Sequence, residues 1–183
     1  MKKIATHNSV TGEAGKGILS WLVAPFSKCQ SKTLEQQYNA GVRLFDMRVW
    51  RDKHGVWRCG HGLWEAKKTF YECLVLDLLR HSDTYMTITF ERGTNGEAML
   101  AQLLNDIPLV KRLTEVKRVI YVACKRPQWR IVKAYDSHAI YPGYKILDGS
   151  TWHTYLPIPW LWKMIYYPHP TFHETFYTMV DFV

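Results

Sequence analysis

The chain has 183 residues, 47% of them apolar, with 24 Lys and Arg against 16 Asp and Glu. That is one domain's length with enough apolar matter for a real core, which argues against a disordered chain. The net charge of +8 points to an anionic partner such as phosphate, nucleic acid or a membrane surface, while the longest apolar stretches, near residues 18–26 and 156–167, are too short or too broken by proline to span a bilayer.

In chain order, the opening Met1-Lys2-Lys3-Ile4-Ala5 is basic but lacks the apolar stretch of a signal peptide. The chain as given is therefore expected in the cytoplasm, or outside the cell if it is a mature form. Residues 4–6 predict a short strand that ends at His7. A glycine-rich loop (Gly12, Gly15, Gly17) leads to an apolar patch at 18–26. Residues 31–40 predict a helix stopped by Gly41. Residues 42–49 alternate as a strand, Asp52-Lys53-His54-Gly55 makes a hairpin-type turn, and 56–60 form a second short strand that delivers His61.

Further on, 69–80 carry helical spacing (Phe70, Cys73, Leu74, Leu78), and 84–90 alternate as a strand that delivers Glu91. Residues 97–104 predict a helix, and 119–124 a buried strand that delivers Lys125 and Arg126. Residues 144–147 predict a strand delivering Asp148, and 176–180 a last strand delivering Asp181. Residues 156–170, rich in Pro and aromatics, predict no clear element. The four cysteines, Cys29, Cys59, Cys73 and Cys124, make no CxxC pair and no zinc spacing, so free thiols are expected.

Strands alternating with helices predict an α/β fold with a mostly parallel sheet. Polar residues recur at the C-terminal strand ends, where barrel enzymes place their active sites. A complete eight-fold barrel takes ~250 residues, so about seven strand candidates in this shorter chain predict an abridged or irregular (β/α) barrel, TIM-barrel-like, with residues 1–183 as a single domain.

The chemistry gathers at those strand ends. His7 and His61 bracket Asp46 and Arg48, which leave one strand on the same face because they lie two residues apart. In-line phosphoryl transfer needs a base, an acid and a cation for the phosphate oxygens. A histidine titrates near neutral pH and serves as either base or acid. A guanidinium is always charged and clamps two phosphate oxygens.

Thr6-His7-Asn8-Ser9-Val10-Thr11-Gly12, Gly41-Val42-Arg43-Leu44-Phe45-Asp46-Met47-Arg48 and His61-Gly62 together resemble the phosphatidylinositol-specific phospholipase C X-domain family. Weaker matches follow at Thr89-Phe90-Glu91, Lys125-Arg126 and Val180-Asp181-Phe182. The resemblance implies that His7 takes the proton of the inositol 2-hydroxyl, whose oxygen attacks phosphorus in line. His61 then protonates the departing diacylglycerol oxygen, and the product is a cyclic inositol phosphate, hydrolysed in a second step with the roles reversed. It further implies that Asp181 pairs with His7, that Arg126, assisted by Lys125, binds the headgroup, and that Asp148 accepts hydroxyl hydrogen bonds.

The resemblance is mixed in one respect. Bacterial members use an arginine as a built-in cation, which Arg48 matches. Calcium-dependent members use an asparagine and several carboxylates, which Asn8, Asp46 and Glu91 match, although Leu44 replaces a further expected carboxylate. Asn8 stands where bacterial members usually carry aspartate, and Glu91 where some carry lysine. A metal-free site is favoured, because Arg48 repels a divalent cation and Glu91 can orient Arg48. The alternative is a calcium site built from Asn8, Asp46 and Glu91.

Trp21, with Leu19, Leu22 and Phe26, falls in the first strand-to-helix connection, where similar family members touch the bilayer. A peripheral membrane surface and a phospholipid or other phosphodiester are therefore the expected partners. Two other readings compete. One is a different phosphodiesterase on the same barrel, of the glycerophosphodiester or sphingomyelin type. The other is a non-catalytic binder of anionic lipid or nucleic acid, but basic residues are scattered rather than striped and no nucleic-acid motif is present.

Overall fold

The computed structural model describes residues 4–124 and the strands at 130–134, 145–146 and 178–180. The strands are β1 (Ile4–Thr6), β2 (Val42–Arg51), β3 (Trp57–His61), β4 (Trp64–Glu65), β5 (Tyr85–Phe90), β6 (Val119–Cys124), β7 (Arg130–Ala134), β8 (Lys145–Ile146) and β9 (Thr178–Val180). The helices are α1 (Gly17–Ser27), α2 (Leu34–Asn39), α3 (Phe70–Glu72), α4 (Gly96–Asp106) and α5 (Pro108–Glu115). A 3-10 turn at Ser9–Gly12 follows β1, and α3 widens into a π-helical stretch at Cys73–Leu78.

Local chemistry sets several boundaries. Thr33 and Thr69 each cap a helix in a reciprocal capping box, with Gln36 and Glu72 as their partners. The helix expected over 31–40 thus starts only at Leu34. Gly41, at φ +98, turns the chain from α2 into β2. The π-helical stretch replaces the regular helix expected over 69–80. It keeps Cys73, Leu74, Asp77 and Leu78 inside and leaves Val75 and Leu76 in solvent. Four elements were not expected: α1 as a helix, β4, α5, which Pro108 opens at its first turn, and β7.

Along the sheet the strands run β7-β6-β5-β2-β1-β9-β8, and β3 and β4 form a side hairpin on β2. Pairings β1–β2, β1–β9, β2–β5, β5–β6 and β8–β9 are parallel. β7 runs antiparallel to β6, as does β3 to β2. The expected barrel is corrected here. Among the described residues the architecture is a mixed α/β sheet that does not close. One end is the antiparallel strand β7 and the other the two-residue β8, and these two do not pair.

The sheet's two faces differ in chemistry. On one, Phe45, Met47 and Val49 of β2 and Met86, Ile88 and Phe90 of β5 pack with Leu34, Phe70, Leu74, Leu100, Leu103 and Val110 from the helices. Each such side chain contributes about 1.5–3 kcal/mol on full burial. The other face carries Asp46 and Arg48 of β2 beside Thr87 and Thr89 of β5, in direct register. Period-2 alternation therefore sends one residue to the core and the next to the polar face.

Candidate active site

β1 and β2 pair in parallel with Ala5 beside Leu44 and Thr6 beside Phe45. That register carried one residue on brings His7 alongside Asp46. The chain then breaks from the strand at Asn8, whose φ of 46 is left-handed, a conformation asparagine tolerates. Asn8 N–H donates to Asp46 Oδ2 at 3.2 Å. Gln30 Nε2 donates to the His7 carbonyl at 3.1 Å, which fixes the backbone that carries the imidazole.

Arg48 is the centre of the site. Its Nη2 donates to His7 Nε2 at 2.8 Å, its Nε to Asp46 Oδ2 at 3.3 Å and its Nη1 to Glu91 Oε2 at 3.3 Å. Arg48, Asp46 and Glu91 are 2%, 3% and 6% exposed. Burial alone works against the guanidinium's charge. Asp46 and Glu91 outweigh it and hold the Arg48 pKa above its ordinary value. Arginine has only donors, so His7 Nε2 must accept and carries no proton in this arrangement.

Asp46 is held in turn by Thr87 Oγ1 at 3.3 Å and Thr89 Oγ1 at 3.5 Å, both on its Oδ1. These threonines were not singled out from the sequence. Their signal was present, since Thr87, Thr89 and Glu91 alternate onto one face.

His61 ends β3, and the two-residue turn Gly62-Leu63 returns the chain into β4. Gly62 takes φ +59 there, as the first residue of such a tight turn requires. Glu91 Oε1 accepts Gly62 N–H at 3.0 Å and lies 3.3 Å from His61 Nδ1. That second contact is an ion-pair distance without hydrogen-bond alignment. Burial, first, lowers the His61 pKa. Glu91 opposes this, and the charges of Arg48 and His7 add to the lowering. Both imidazoles stay 23% exposed, so substrate can reach them.

The arrangement thus joins His7, Asn8, Asp46, Arg48, Glu91 and His61 in one cluster. Lys125, Arg126, Asp148 and Asp181 lie outside the described residues. β9 reaches Val180, which pairs with Thr6. Trp21 is not in the cluster. It lies on α1, which has an unusual polarity: Ser20 and Ser27 are buried, while Ile18, Leu19, Trp21, Leu22 and Phe26 are 55–76% exposed. Ser20 Oγ explains the inward face, donating to the Glu65 carbonyl at 2.9 Å and accepting Glu65 N–H at 3.1 Å. No helix among the described residues is long and apolar enough to cross a membrane.

A calcium ion does not fit these donors. Asp46 and Glu91 both face the Arg48 guanidinium, and Asp46 Oδ1 and Glu91 Oε1 take hydroxyl or amide donors. Of the three candidate ligands, Asn8 alone offers a buried oxygen, Oδ1, without a hydrogen-bond partner. Among the described residues no three His, Cys, Asp or Glu side chains stand together as a metal group. The four cysteines are buried, with Cys59 Sγ 3.7 Å from Cys73 Sγ.

No protein-family model matches the chain, and neither does any curated protein sequence. Among solved structures, a phosphatidylinositol-specific phospholipase C from Listeria monocytogenes matches with a TM-score of 0.51 and 17% sequence identity over 80% of this chain. The chain covers 61% of that structure, less than two thirds of its length. At this identity the likeness is one of fold, and the chain is similar to a phospholipase C in how its sheet and helices are arranged.

Proposed function

We propose that the chain is a phosphodiesterase that cleaves phosphatidylinositol or a related inositol lipid without a metal ion, at a membrane surface it touches transiently. One observation carries the reading. Two histidines, each about a quarter exposed to solvent, stand at opposite ends of a single buried relay, His7–Arg48–Glu91–His61. The fold likeness to a phospholipase C supports it, as does the outward apolar face of α1.

In the proposed reaction the diester's phosphate draws Arg48 Nη2 toward its own oxygens, which frees the His7 Nε2 lone pair. His7 takes the proton of the inositol 2-hydroxyl, and that oxygen forms a bond to phosphorus. The bond from phosphorus to the diacylglycerol oxygen breaks, and His61 gives that oxygen its proton. An attacking hydroxyl on the substrate itself is already in place, which removes much of the entropic barrier. His61 gains its proton on binding: Arg48 against Asp46 and Glu91 leaves the buried trio one charge negative, and the phosphate adds another.

Phosphorus NMR of phosphatidylinositol vesicles incubated with the protein is the direct test. A cyclic inositol phosphate signal that persists in excess chelator, and is lost in His7→Ala and His61→Ala, is expected. Turnover abolished by chelator overturns the metal-free form. No turnover of phosphatidylinositol or of a soluble inositol diester overturns the whole reading.

A further inference from the structure

We infer that Arg92 is a positioning residue for His61, acting on the carbonyl of Gly62, the residue that follows it. This rests on the reading of His61 as the proton donor to the leaving group. Gly62 is gripped from both sides by consecutive residues. Its N–H goes to Glu91 Oε1 at 3.0 Å, and its carbonyl accepts from Arg92 Nη2 at 3.3 Å. The Arg92 guanidinium also lies over the Trp50 ring, 4.1 Å from its centroid. Trp50 in turn closes against Gly60, where a side chain has no room between that ring and the Trp64 backbone. His61 is therefore flanked by two glycines, one held by Trp50 and the other by Glu91 and Arg92.

Arg92 itself is well anchored at its backbone. Glu91 N–H donates to the Val49 carbonyl at 2.9 Å, which keeps β5 against β2 up to that point. Gly93, at φ +103, then turns the chain where a Cβ would strike Met99 Sδ. The side chain is exposed, so its contacts with Gly62 and Trp50 are not forced by core packing. Two glycines beside a proton donor leave its backbone free to pivot, and a misplaced donor loses rate steeply. A planar guanidinium that stacks and donates at once restrains that pivot better than a simple ammonium.

Arg92→Ala tests this with two soluble inositol phosphodiesters, one with an alkyl leaving group and one with a nitrophenyl leaving group. An alkoxide needs the donor's proton and a nitrophenolate does not. The kcat for the alkyl ester is expected to fall about tenfold more than for the nitrophenyl ester, a fraction of a full general acid's effect. KM is expected to move little for either. Equal losses on both esters, or no loss, overturn the inference. A parallel NMR measurement of the histidine ring signals needs no turnover: Arg92→Ala is expected to shift the His61 signals and leave those of His7 in place. Unmoved His61 signals overturn the positioning role, whereas a wild-type protein inactive on both esters overturns the phosphodiesterase reading alone.

Discussion

Arg48 and His7 share one short hydrogen bond, with Nη2 2.8 Å from Nε2. In the proposed reaction the guanidinium thus occupies the lone pair that must take the substrate hydroxyl's proton, until a phosphate competes for it. Arg48→Lys keeps the charge but loses the fork that reaches His7, Asp46 and Glu91 together. Its kcat is expected to fall by about 10²–10³, the usual effect of removing one transition-state donor. Arg48→Ala is expected to cost about 3–5 kcal/mol of stability as well, because it strands two buried carboxylates. Steady-state kinetics and urea melts separate the two effects, and Arg48→Lys turnover within twofold of wild type defeats the proposal.

The lowered His61 pKa has a sign that can be checked in two ways. In the proposed reaction the substrate-free protein loses its proton donor as pH rises through that lowered value, below the ordinary 6.5. The kcat/KM profile for an alkyl diester should therefore bend downward below pH 6.5. Glu91→Gln removes the group that raises His61, so the bend should move to lower pH. A bend that stays or moves up contradicts the Glu91–His61 pairing.

Stability gives the second check. Below its ordinary value and above its folded one, His61 is protonated in the unfolded chain and neutral in the folded protein. The unfolded state then binds more protons, so stability rises with pH across that window and is lost as pH falls through it. His61→Gln is expected to flatten that part of the curve in urea melts taken as a function of pH.

Most of the cluster was legible because strand parity and strand ends are local properties. His7, His61 and Glu91 each sit at the end of a short strand, Asp46 and Arg48 alternate onto one face within β2, and pairing β1 with β2 and β2 with β5 brings them together. Thr87 and Thr89 were equally legible by parity, yet a threonine in a strand ordinarily reads as plain β propensity. Arg92 carried no local signal, since its partners Trp50 and Gly62 are far off in sequence. Closure of the sheet was not legible either. It depends on how the last strands pair, and of the run expected over 176–180 the described strand Thr178–Val180 pairs with β1 and β8. α1 was legible as an apolar patch but not as a helix, and Ser20 turns inward because β4 offers it backbone groups far off in sequence.

Away from the relay, Lys68 joins three elements. Its Nζ lies 3.1 Å from Glu13 Oε2 and 2.8 Å from Asp77 Oδ2, and Glu13 Oε1 accepts Leu34 N–H at the start of α2. Burial raises the Asp77 pKa, and Lys68 is what opposes it. Lys68→Met leaves two largely buried carboxylates without their cation. Because Lys68 is itself a third exposed, the expected loss is about 2 kcal/mol, less than for a fully buried pair. Thermal melts should show that loss while the histidine ring signals at the site stay unchanged.

The outward face of α1 makes the last prediction. Trp21 is 71% exposed and Phe26 57% on α1, and Leu63 is 63% exposed on the turn that follows His61. Ser27 Oγ approaches Gly62, so the helix and the His61 turn are neighbours. An apolar surface docked there would hold the lipid's leaving end next to the proton donor. Burying one large aromatic is worth about 1.5–3 kcal/mol, and Trp21→Ala should therefore weaken binding to anionic vesicles roughly tenfold or more. Turnover of a soluble inositol diester should fall far less, because the Trp21 side chain points largely into solvent. Sedimentation with vesicles and a soluble-substrate assay on the same preparation measure the two quantities. Equal vesicle binding by Trp21→Ala and wild type removes α1 from the membrane contact and leaves the relay's chemistry untouched.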